Sequence, residues 1–231
     1  MKRKELEILL QNIPPHPSPR ADIEQYSTPA VIAADIIYWA YSMGDVAGCR
    51  VVDLGCGTGV FAIGASLMGA EGSIGVDIDP ESVKTARQVA EKLGASAVFL
   101  VDDISNFSGS YDTCIQNPPF GYQKPGTDLP FIEKALDIAD VTYTIHHIDA
   151  VEHVRRIARS NGAEVTHAQR YKFTMPYTYR FHTKPTRDVD IAILRIVRTD
   201  AAGEKEGLTF RSGHRGEERY AGHDKTNHEM K

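Results

Sequence analysis

The chain has 231 residues, 42% of them hydrophobic, and a formal net charge of -5. That length supports one sizeable core, and the acidic balance excludes a globally attractive surface for nucleic acid, so any polyanion contact has to be local. Met1-Lys2-Arg3-Lys4 leads into Glu5 and Glu7 within a short apolar stretch, which argues against a secretory leader or a membrane span. Three cysteines with no CxxC pair argue for reduced thiols, a cytoplasmic setting and no structural metal site.

In chain order, residues 1–22 read as a short amphipathic helix and a stiff connection carrying Pro14, Pro15, Pro17 and Pro19, ahead of a main domain at 23–198. Pro29 to Met43 reads as a helix packed beneath a sheet. Arg50 to Leu54 is a β-branched, apolar run between Gly48 and Gly55, as in a buried parallel strand. It enters Gly55-Cys56-Gly57-Thr58-Gly59 and then a helical pattern, a strand–turn–helix cradle for a nucleotide-type ligand. The third glycine of the dinucleotide fingerprint falls on Val60, which weakens the case for NAD. Asp53 would repel a pyrophosphate, whereas the amino group and sulfonium of S-adenosylmethionine carry positive charge.

Ser73 to Asp77 reads as a second strand ending in an acid, with a helix from Glu81 to Leu93 started by Pro80. Asp77 is the candidate for a ribose hydroxyl and Asp79 for the helix cap. Ala97 to Val101 reads as a third strand, followed by Asp102-Asp103-Ile104, where Asp103 is the candidate acceptor for an adenine amino group. A fourth strand near residue 112 precedes Asn117-Pro118-Pro119-Phe120. An NH2 group conjugated to a ring or carbonyl is a poor nucleophile. The Asn117 side-chain oxygen and the Pro118 carbonyl, if they converge, each accept one of its hydrogens and free the lone pair. Pro118 and Pro119 stiffen the loop, and Phe120 offers a face on which a heterocycle can stack. The segment 121–126 reads as a lid.

Strands alternating with helices predict a three-layer, doubly wound α/β sheet, with Asp53 to Gly59, Asp77, Asp103 and Asn117 to Phe120 all on the carboxyl rim. In the usual strand order of such a sheet the third strand lies at the edge, and its apolar run invites another chain. Cys114 reads as a small core residue. His146 and His147, adjacent on a strand, point to opposite faces, and His146 is expected to be a hydrogen-bonded structural group. Between Gln169 and Arg187 stand Arg170, Lys172, Arg180, Lys184 and Arg187, with Tyr171, Phe173, Tyr177, Tyr179 and Phe181 and no acids. This reads as a hairpin with aromatics inward and a basic row outward that contacts phosphates. The polar segment 199–231 reads as disordered.

Several motifs together resemble the methyltransferase-like 5 family of small-subunit rRNA adenine-N6 methyltransferases and its archaeal relatives. They are Glu24-Gln25-Tyr26-Ser27-Thr28, Asp53-Leu54-Gly55-Cys56-Gly57, Asp77-Ile78-Asp79, Asn117-Pro118-Pro119-Phe120-Gly121, Gly126-Thr127-Asp128 and Tyr179-Arg180-Phe181-His182. The likeness runs from about Ile23 to Val197, departing at Thr58, where relatives can carry cysteine, and in the long polar tail. It implies a Rossmann-like class I S-adenosylmethionine-dependent methyltransferase fold, with a mostly parallel seven-stranded sheet and an antiparallel C-terminal hairpin. It also implies that Gln25, Thr28, Gly55, Thr58, Val60, Asp77, Asp103 and Ile104 touch S-adenosyl-L-methionine, and that Asn117 to Phe120 hold the target adenine. Tyr26, Asp53, Gly59 and Ile78 complete the candidate cofactor set, and His182 joins Arg170, Lys172, Arg180 and Lys184 as candidate contacts to small-subunit rRNA. The family works with a small zinc-binding activator protein, for which the edge from Ala97 to Val101 is the candidate dock. Two other readings of the residues are a protein glutamine N5-methyltransferase and a non-catalytic, cofactor-binding ribosome assembly factor.

Overall fold

The structure is a computed structural model that describes residues 1–17, 19, 24–25, 27–121, 125–176, 186–199 and 209–212. Its sheet begins with β1 (Arg50–Leu54), β2 (Gly72–Asp77), β3 (Ala97–Val101), β4 (Tyr111–Gln116) and β5 (Ala139–His147), all parallel. Then come β6 (Ala163–Pro176) and β7 (Thr186–Arg198), an antiparallel pair of which β7 lies against β5. The order across the sheet is β3-β2-β1-β4-β5-β7-β6-β8. The winding reverses between β1 and β4, the crevice where open α/β sheets place ligands. The seven expected strands are present. An eighth, β8 (Thr209–Ser212), pairs in parallel with β6 and falls inside the segment expected to be irregular. Its pairing is a tertiary event that the polar composition around it gives no hint of.

Helices α1 (Arg3–Leu10), α2 (Ala30–Ser42), α3 (Val60–Leu67) and α4 (Pro80–Leu93) cover one face, while α5 (Leu129–Ile138) and α6 (Val151–Ser160) cover the other. Because side chains alternate along a strand, Val51 joins the core under the first four helices and Val52 and Leu54 join the opposite one. Asp53 takes the Val51 side and so comes to lie beneath α3. By the same parity Ile115 faces α2 and Cys114 faces away, which decides where Asn117 will point. Leu6 and Leu10 of α1 are buried against α2 and α3, so the N-terminal helix is part of the core. The α4 start follows the expected capping: the Asp79 side chain accepts from Glu81 N, and Pro80 is the first helical residue.

β3 is the sheet edge. Phe99 alone points deep into the core, 2% exposed, filling the space that Gly59 and Gly75 leave by having no Cβ. Val98 and Val101 remain 56% and 48% exposed. On the far side, buried Asp45 ties Tyr143 of β5 to Arg195 of β7, the guanidinium donating to both carboxylate oxygens at 2.8 and 3.1 Å. This network anchors the β6–β7 hairpin. Past its last pairing with β5, at Ile191, the hairpin continues from Tyr171 to Pro176, roughly 17 Å beyond the rim at 3.4 Å per residue. No described helix is long and apolar enough to cross a membrane.

Candidate active site

Strand register assembles the site. Leu54 pairs with Val76 on one side and Gln116 on the other, so the residues that follow, Gly55, Asp77 and Asn117, come level on the rim. The glycine turn between β1 and α3 has left-handed backbone at Gly57 and Gly59, with φ of 52° and 90°. A Cβ on Gly59 would lie 2.7 Å from the Phe99 ring, so this position needs glycine for space as well as for backbone. Two carboxylates hold the turn. Asp77 accepts from Gly57 N at 2.7 Å and from Asp79 N at 2.9 Å. Asp53 is 1% exposed; Oδ2 accepts from Ala62 N at 3.1 Å, while Oδ1 has no hydrogen-bond partner. Burial pushes the Asp53 pKa up to about 8.

Asn117 emerges from β4 toward α2. Its Nδ2 donates to Thr28 Oγ1 at 3.0 Å, and Oδ1 is left buried and bare. Glu24, with a left-handed φ of 53°, accepts from the Phe120 and Gly121 amides at 2.8 and 3.1 Å and clamps the loop from outside. Behind it, Gln116 donates to Thr144 Oγ1, which also bonds His146 at 2.8 Å. His146 is 1% exposed, and burial lowers its pKa to about 3, so it is a neutral structural group as expected. His147 faces the opposite side and accepts from Asp149 N.

A cavity of about 350 Å³ opens in front of the glycine turn, walled by Gly55, Gly57, Thr58, Val60, Thr28 and Asn117. That volume falls in the range of small-molecule sites. Its outer wall comes from the N-terminal segment, whose Pro14 carbonyl accepts from Thr58 Oγ1 at 2.9 Å. Thr28, Pro29 and Asn117 also line a smaller cleft with Phe120, Ile145 and Ile191. Asn117 thus stands in the partition between two compartments.

Among the residues singled out from sequence, Gly55, Thr58, Val60, Thr28 and Asn117 converge on the cavity. Asp53 and Gly59 underlie the turn that forms its wall. Asp103 sits on the rim, exposed, its carboxylate accepting from Ser105 N at 2.8 Å, while Ile104 packs into the core under β1 and β2 and Ile78 is exposed. Arg170 and Lys172 project outward at the root of the hairpin overhang, Arg170 paired with Asp190 at 3.1 Å, and Tyr171 packs inward. Tyr26, Arg180, His182, Lys184 and residues 122–124 of the 121–126 lid lie outside the described residues. Sequence reading missed the role of Glu24 and the wall formed by Pro14, Pro15 and His16, since neither lies beside the glycine turn or the Asn117 loop in the chain.

The chain matches the family model described as "Methyltransferase domain" over residues 45–167. It is 31% identical to the "rRNA N(6)-adenosine-methyltransferase METTL5" of Danio rerio, over 86% of this chain and 100% of that one. It is 38% identical to the uncharacterized protein MJ0284 of Methanocaldococcus jannaschii, over 85% of this chain and 94% of that one. The crystal structure of PH1948 from Pyrococcus horikoshii superposes with a TM-score of 0.81 at 34% identity, covering 87% of this chain and 99% of that chain.

Proposed function

The chain belongs to the METTL5 family of rRNA N6-adenosine-methyltransferases, and from that premise we propose that it methylates N6 of one adenosine in small-subunit rRNA at Asn117. The observation that carries this reading is the bare, buried Oδ1 of Asn117, fixed by Thr28 at the partition between cavity and cleft.

The residues fit S-adenosylmethionine. The Asp77 carboxylate makes the glycine turn electronegative, which suits a ligand carrying an ammonium and a sulfonium, and the buried Asp53 beneath the turn would add a second negative charge once such a cation expelled its proton. Gly55, Gly57, Thr58, Val60, Thr28 and Asp77 would hold the cofactor. Bound there, it supplies an electrophilic methyl group.

Everything else falls to the chain. Asn117 Oδ1 and the Pro118 carbonyl accept the two hydrogens of the exocyclic amine, so its lone pair is turned toward the cavity, where a nitrogen–carbon bond would form as the methyl carbon's bond to sulfur breaks and its electron pair leaves with the neutral thioether. The nitrogen carries positive charge only after transfer, when a proton leaves readily, so no strong base is required. Phe120 stacks on the base, worth about 1–3 kcal/mol, and Ile145 and Ile191 keep water from the reacting nitrogen. Lys172 on the hairpin overhang and Arg170 at its root would meet rRNA phosphates, and Arg180, His182 and Lys184, outside the described residues, are the further candidate contacts. The exposed apolar edge of β3 supports docking of a small zinc-binding activator by strand addition.

The test is methyl transfer from labelled cofactor to small-subunit rRNA, followed by nucleoside analysis. N6-methyladenosine formed by the chain and lost in Asn117→Ala is the expected result. Label appearing instead on a protein glutamine would overturn the assignment.

A further inference from the structure

The N-terminal segment crosses the mouth of the cavity and is pinned at both sides of it. Pro14 is held by Thr58 of the glycine turn. Two residues on, His16 Nδ1 lies 2.7 Å from Ser82 Oγ at the start of α4. Ser82 is fully buried and donates its one hydroxyl proton to Asp79 Oδ2 at 2.6 Å. The serine oxygen is therefore the acceptor of the His16 contact, which requires the proton on Nδ1 and leaves Nε2 with a lone pair. The ring lies over Gly57, where an added Cβ would come within 2.7 Å of Nε2, and it lines the cavity beside Asp77. Burial lowers the His16 pKa against the opposing pull of Asp77 and Asp79, which favours this neutral form at neutral pH.

We propose that His16 is a cofactor-positioning residue: it closes the cavity over Gly57, and its Nε2 accepts a hydrogen bond from a hydroxyl of the cofactor ribose. The choice of ligand group follows from the tautomer. A lone pair next to two carboxylates suits a neutral donor such as a hydroxyl, and the acidic neighbours already provide the acceptors for anything cationic. The segment ahead of the main domain is by this account part of the active site.

This inference rests on the cavity being the cofactor site, and calorimetric titration of the full chain with S-adenosylmethionine and S-adenosylhomocysteine separates the two. A wild-type chain that binds neither ligand overturns the site assignment itself. Given binding, His16→Ala is expected to weaken both ligands by about fivefold to tenfold, the effect of one lost hydrogen bond. Turnover at saturating cofactor should stay within about twofold. His16→Gln, whose amide oxygen reaches the place of Nε2, should restore most of the affinity. Unchanged or tighter binding in His16→Ala overturns the proposal. So does a His16→Gln variant as weak as the alanine, because a merely structural role would then account for both.

Discussion

Asn117 and Thr28 are 89 residues apart in the chain, yet the amide nitrogen of one lies 3.0 Å from the hydroxyl of the other. That single bond decides which end of the Asn117 side chain is offered to a substrate. With Nδ2 engaged by the Thr28 oxygen, Oδ1 is the end left to face a substrate as an acceptor. Asn117→Ala is expected to lower kcat by about 100-fold or more, the loss typical of one preorganised polar contact, with cofactor affinity nearly unchanged. Thr28→Val should cost less, about tenfold, because the amide keeps its oxygen and loses only its orientation. Equal losses in both variants would mean that Thr28 acts through something other than Asn117.

Glu24 is the outer clamp. Its carboxylate receives two loop amides, and charge-assisted bonds of this kind are about twice as strong as neutral ones. Glu24→Gln keeps one acceptor and is expected to lower kcat several-fold, and Glu24→Ala about tenfold or more, both without change in cofactor Kd. Hydrogen exchange at the Phe120 amide should accelerate in the same order. Protection identical to wild type would remove the clamp from the mechanism.

Two buried groups give the fold opposite pH limbs. Asp53 titrates near 8 when folded against about 3.9 when unfolded, so the folded chain holds its proton while the unfolded chain has lost it. Its contribution to stability is full below the unfolded value and is lost as pH rises toward 8, by at most about 1.4 kcal/mol per unit. His146, lowered to about 3, works the other way: stability is full above about 6.5 and is lost as pH falls toward 3. Asp53→Asn, which keeps the acceptor for Ala62 N, should flatten the decline in Tm between pH 5 and 8. Slopes as steep as wild type would show that another group governs that limb. A cationic cofactor beside Asp53 should also expel its proton, seen as a dependence of the binding enthalpy on the buffer.

The edge strand separates docking from folding. Phe99→Ala empties the space over Gly59 and Gly75 and is expected to cost about 3–5 kcal/mol of stability. Val98→Lys and Val101→Lys touch only exposed side chains, so Tm should change little while a strand-adding activator no longer co-purifies. A complex that survives both lysines would refute docking at this edge.

The parallel strands themselves, the glycine turn, the Asp79 cap and the Asn117 loop were all legible in the chain because each is written locally. Alternation and β-branching mark a buried strand, glycines mark a turn that side chains cannot enter, and an acid before Pro80 marks a helix start. The hairpin's inward Tyr171 and outward Arg170 and Lys172 followed from the same period of two. Asp103 was harder: an acid after a strand reads the same whether or not it reaches a ligand, and here one of its oxygens accepts from its own turn.

Sequence by itself determined that a strand–turn–helix cradle and a proline-stiffened amide loop end on one rim, since both are spelled by residues next to one another. Tertiary structure alone decided that Thr28 orients Asn117, that Glu24 clamps its loop and that Pro14 and His16 wall the cavity. Those contacts join residues tens of positions apart through hydrogen bonds only 2.7 to 3.1 Å long, and such distances are set by how helices and strands pack, which no local pattern encodes.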